Sequence, residues 1–173
     1  MINPLIDRRH LIEYLVFGLC AGIAFIVPVT LFLSQNSYEN FYYLFIGSGL
    51  FMFVIFFYCV KLSHRPYDKK RAVSMMMAGH IATLTGIYFS CLFTVACFLF
   101  LYPQLFSAVP VDRVVEDVPS WMQPDKPIEL LFIILSVAIT ANFSVGSFIS
   151  VVTAYASKVN QTRDKSVPLE THI

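Results

Sequence analysis

The chain has 173 residues, 57% of them hydrophobic and only 13% charged, with a formal net charge of +1. Soluble domains carry about a quarter of charged residues, so a water-soluble globule is excluded and the bilayer becomes the expected solvent. The charge balance offers no basic surface for nucleic acid, and no nucleic-acid partner is expected.

The first apolar run, Leu11 to Leu33, would measure ~34 Å as a helix, enough to cross the hydrocarbon with modest tilt. Arg8 and Arg9 precede it, but the run is too long for a signal-peptide core and no small-residue cleavage site follows, so it reads as a retained helix. Pro28 removes a backbone donor and frees the carbonyl of Ala24, which predicts a kink that neighbouring helices must cover.

Ser34 to Asn40 is polar and free of Lys and Arg, as suits a short outer loop. Tyr38, Tyr42 and Tyr43 then fall at headgroup level, where rings with an apolar body and a polar tip are preferred. Phe41 to Leu62 is the second span, and Lys61, Arg65, Lys69, Lys70 and Arg71 mark its inner end.

The third span is expected over 72–102 and the fourth over 128–158, both longer than the hydrocarbon is thick, so they should pair as a hairpin standing proud of the membrane on the inner side. Between them, residues 103–127 form the one sizeable loop. Val111, Val114, Val115 and Val118 recur there at helical spacing against Asp112, Arg113, Glu116 and Asp117. This pattern predicts a short amphipathic helix on the outer surface, with Trp121 as its interfacial anchor. Residues 159–173 read as a flexible tail.

Ten of the twelve Lys and Arg residues fall on one side of this arrangement, leaving Arg113 and Lys126 on the other. Positive charge near helix ends is retained in the cytoplasm, so both termini are expected there, in the inner membrane if the source is bacterial. The fold class is therefore an all-α, four-helix transmembrane bundle, with residues 1–173 forming a single integral membrane domain.

Small residues at four-residue spacing are the clearest order within the spans. They include Gly18 and Gly22 in the first, Gly79 and Gly86 in the third, and Gly146, Ser150 and Ala154 in line with Asn142 in the fourth. Lipid tails give no hydrophobic reward for helix contact, so close backbone approach at small residues holds transmembrane helices together. The same stripes are candidate docking surfaces for a partner helix, the fourth span above all.

Asn142 lies mid-span, where exposure to lipid is costly, and serves either as interhelical glue or as part of a polar path. His80, Thr83, Thr85 and Glu13 are the other candidates for such a path, and a Glu13–His80 pair could pass protons. Glu129 suits the positive end of the fourth helix. No central carboxylate is available to drive exchange, since the spans contain only the end-located Glu13 and Glu129.

The four cysteines, Cys20, Cys59, Cys91 and Cys97, lie in apolar runs and read as packing residues. Haem would need facing histidines, and only His80 is inside a span. No Ser-His-Asp grouping, phosphate loop or metal-ligand spacing occurs, so no catalytic residue, metal or cofactor is expected. The preferred expectation is a non-enzymatic accessory or structural subunit that packs against other membrane subunits or itself. The alternatives are a small oligomeric channel or transporter with a path near Asn142 and His80, and a lipid- or quinone-binding module suggested by Phe51, Phe53, Phe56 and Phe57.

Overall fold

The computed structural model describes residues 8–35, 37–64, 72–103 and 127–163, and within these it is all-helical. The helices are α1 (Arg8–Gln35), α2 (Tyr42–Ser63), α3 (Ala72–Leu101) and α4 (Pro127–Arg163), with a 3-10 turn at Tyr38–Phe41 leading into α2. Each of the four is long and apolar enough to cross a membrane, which makes the chain a multi-pass membrane protein by length and composition. The loop helix expected around 111–118, Trp121 and the tail from 164 onward lie outside the described residues.

The helices overrun the apolar runs that announce them. α1 begins at Arg8 rather than Leu11, and α4 continues to Arg163, past the Lys158 boundary expected from hydropathy. Hydropathy marks where hydrocarbon ends, whereas backbone hydrogen bonding continues through polar residues that favour helix. With 37 residues, α4 is about 55 Å long at the usual rise per residue, well beyond the ~30 Å hydrocarbon. α1 runs unbroken through Pro28, which is buried against its neighbours.

Glycine positions set the registers. A β-carbon on Gly18 would meet Thr85 and Gly86, and one on Gly22 would meet Phe89 and Ser90, so α1 and α3 advance together and run parallel. Gly79 faces Ser150 and Gly146 faces Thr83, so α3 and α4 run antiparallel. α1 and α2 are also antiparallel, held by Tyr14 and Phe17 against Tyr58 at one end, Phe25 against Gly47 in the middle and Phe32 against Phe41 at the other.

Around the bundle the order is therefore α1, α2, α4, α3, and the consecutive helices α2 and α3 face each other across a diagonal. That diagonal is short, because Gly86 admits the ring of Phe51 and Gly79 lies close to the Cys59 sulfur. α1 and α4 occupy the other diagonal. Phe25, Val29, Phe51, Ile55, Tyr58, Ala82, Phe98, Ile134 and Ala138 fill the interior, while Leu15, Phe53, Phe57, Leu84, Tyr88, Phe132 and Phe148 point outward. Large exposed apolar side chains on every helix are what a lipid solvent requires and what water would penalise.

Candidate functional site

Two groups of polar side chains stand out, one at an end of the bundle and one along its core. The first is built on α1 and α2. Glu13 lies one helical turn after His10, and its carboxylate sits 3.5 Å from Lys61 Nζ and 3.9 Å from His10 Nδ1. Lys61 also stands over the Phe17 ring at 5.2 Å, while Tyr14 and Tyr58 meet edge to face beneath it. Lys61 is half exposed and Glu13 largely covered, so the long lysine stem covers apolar surface and brings its charge to the carboxylate.

Glu13 and His80 do come level on the adjacent parallel helices α1 and α3, because Gly18 meets Thr85 and the offset is constant. Their described contacts run elsewhere. Glu13 engages Lys61 and His10, and His80 Nδ1–H donates to the Met76 carbonyl at 2.7 Å, one turn back in its own helix. A carbonyl only accepts, so this bond places a proton on Nδ1.

The second group is a column of buried hydroxyls and one amide. On α3, Thr83, Ser90 and Thr94 are fully buried, and on α4 Asn142, Ser150 and Thr153 are buried to within 9%. Thr83 donates to Gly79, Ser90 to Gly86, Thr94 to Ser90, Ser150 to Gly146 and Thr153 to Ile149, each to the carbonyl one turn earlier. Such back-bonding is how a hydroxyl satisfies its donor inside an apolar helix bundle.

Asn142 differs from all of them. It is 0% exposed, and neither its amide nitrogen nor its amide oxygen has a hydrogen-bond partner among the described residues. The Ser48 hydroxyl of α2, also buried, is without a partner as well. Cys59 of α2 lies against Ser150 and Thr153, and with α2 parallel to α4 this register brings Ser48 level with residues 139–142. Two unpaired polar side chains, one on α2 and one on α4, thus lie at the same level of the bundle axis to within about one helical turn.

The remaining candidates are placed as follows. Gly18, Gly22, Gly79, Gly86, Gly146, Ser150 and Ala154 are all buried inside the bundle. Gly18 and Gly22 seat α3 on α1, Gly79 and Gly146 seat α4 on α3, and Gly86 admits Phe51 of α2. Thr83 faces Gly146 of α4, whereas Thr85 turns its methyl to Gly18 of α1 and bonds to Ile81. Ser136, Thr140 and Ser144 form a row on the exposed face of α4, with Thr140 donating to Ser136 and Ser144 to Thr140. Glu129 is exposed in the first turn of α4.

Sequence reasoning passed over Ser48, Ser90, Thr94 and the Lys61 partner of Glu13. The signal for two of them was present, since Thr83, Ser90 and Thr94 are spaced seven and four apart and so share one helix face. Among the described residues no group of three or more His, Cys, Asp or Glu side chains is arranged to hold a metal ion. No protein-family model, curated protein or solved structure matches this chain.

Proposed function

We propose that this protein is an accessory or structural subunit of a larger membrane assembly, with no catalytic chemistry of its own. The observation that carries this reading is the contrast between the two small-residue rows of α4. The Gly146–Ser150–Ala154 row is consumed in packing against the rest of the bundle, and the Ser136–Thr140–Ser144 row remains on the outer face with its hydroxyls turned to their own backbone. A face of small, internally satisfied residues lets a foreign helix approach closely without leaving polar groups stranded in lipid. The charge distribution favours an orientation with both ends in the cytoplasm.

Purification in mild detergent followed by mass spectrometry tests the reading. Specific membrane subunits should accompany the wild-type chain and be lost from Thr140→Leu, which enlarges the outer row while leaving the core untouched. A protein that always purifies alone counts against it. A second reading, a small channel or transporter, draws support from the unpaired Asn142 amide at the core. If Asn142→Leu and His80→Phe leave solute flux in proteoliposomes unchanged, that path is ruled out.

A further inference from the structure

The buried polar groups of α3, α4 and α2 have a regularity that subunit packing does not require. With Gly79 facing Ser150 and Gly146 facing Thr83, successive levels from the α4 C-terminal end read Thr153, Ser150, Thr83, Asn142, Ser90 and Thr94. Each step is three or four residues, about 4.5–6 Å along the axis, and the column covers about 27 Å in all. That is close to the ~30 Å of hydrocarbon it crosses.

A direct hydrogen bond between two oxygens spans about 2.8 Å, and the hydroxyls of this column spend theirs on helix carbonyls, Thr94 on that of Ser90, with no bond from one of these side chains to the next among the described residues. Two such bonds in series, through one intervening water, match the spacing. The hydroxyls of Thr83, Ser90, Thr94, Ser150 and Thr153 have spent their protons on helix carbonyls and keep their acceptor lone pairs, which suits a water that donates. At the centre the need is strongest. Asn142 presents two donors and an acceptor, Ser48 presents one hydroxyl, and no described residue meets any of them.

We propose that the Asn142 amide and the Ser48 hydroxyl form a buried water-binding site at the middle of the membrane, and that the α3–α4 hydroxyl column extends it toward both ends. The ligand is water because the site is sealed, with Asn142 at 0% and Ser48 at 3% exposure, and because a buried water takes two to four polar partners of this kind. This goes beyond the accessory-subunit reading and stands whether or not that reading holds.

The test uses the full chain in lipid nanodiscs with 15N-labelled asparagine. The side-chain amide of Asn142, assigned by its loss in Asn142→Leu, is examined for dipolar cross-relaxation with water, with the rotating-frame sign separating proximity from proton exchange. Wild type should give a direct water cross-peak that falls several-fold in Ser48→Ala while the other amide signals hold their positions. Ser48→Cys, which keeps volume and weakens the hydrogen bond, serves the same purpose where the alanine variant loosens packing. A folded wild type with no water cross-peak at Asn142, or one that both Ser48 variants leave at full strength, overturns the proposal.

Discussion

Thr83 and Thr85, separated by a single residue on α3, address different helices: Thr83 lies against Gly146 of α4, and Thr85 lies against Gly18 of α1. One α-helical residue turns the side chain by about 100°, so a separation of two carries it to the far flank of the helix. Both contacts are close: a β-carbon on Gly146 would stand 2.6 Å from Thr83 Oγ1, and one on Gly18 would stand 2.7 Å from Thr85 Cγ2. Gly146→Ala should therefore destabilise the bundle by about 1–3 kcal/mol, as overpacking does. Adding Thr83→Ala should restore part of that loss. Unfolding in detergent, read as a double-mutant cycle, checks the coupling, and strictly additive losses would show that the two residues do not meet.

Gly47 and Gly49 sit in one turn of α2 but differ in surroundings. A β-carbon on Gly47 would come within 2.9 Å of the Phe25 backbone oxygen, which cannot step aside, and one on Gly49 would meet nothing within 4 Å. Gly49→Ala should be neutral or stabilising by up to about 1 kcal/mol from helix propensity alone. Gly47→Ala should lose about 1–3 kcal/mol by forcing α1 and α2 apart. The thermal midpoint of Gly47→Ala should fall, while that of Gly49→Ala should hold or rise.

The Glu13–Lys61 pair joins α1 to α2 at an end of the bundle where Lys61 is half exposed. Water and salt screen such a pair, and its coupling should amount to about 0.2–1 kcal/mol in a cycle of Glu13→Gln and Lys61→Met. Methionine keeps much of the stem that packs near Phe17, so a single-variant loss well above that range would show that the carboxylate is paired in a drier setting than the geometry indicates.

Orientation is open to a direct measurement. The sequence predicts ten of the twelve basic residues on one side, and on that prediction reporters fused to either end should both be active only in the cytoplasm. Moving positive charge to the other face, for instance with lysines placed at Ser34 and Glu39, should weaken that bias. Activity of either reporter on the far side of the wild-type membrane would refute the assignment.

The four spans were legible because each is a long apolar run, and the small-residue spacing in α1, α3 and α4 announced close packing. What the spacing could not say is which helix each stripe meets. The Gly146–Ser150–Ala154 row of α4 reads equally well as a docking surface or an interior one, since periodicity identifies a face without naming its neighbour. Ring order is likewise invisible, because the α2–α3 connection can cross a diagonal as readily as it can join adjacent corners. Thr83 and Thr85, grouped in one candidate polar path by the sequence, face α4 and α1 respectively, a separation that helical rotation alone already implies. Lys61 was read as a charge marking a helix end, and its role as the partner of Glu13 depends on the α1–α2 register.

Because α3 runs beside α1 and α4 beside α2, the second hairpin repeats the first by sideways displacement, without a flip. The stack consequently has a head and a tail, and exchanging its two halves does not turn it upside down. A molecule so made has no internal symmetry that would equate the two leaflets. Whatever it binds along its length is approached differently from above and below, and any neighbour that docks on it must do so in a single sense.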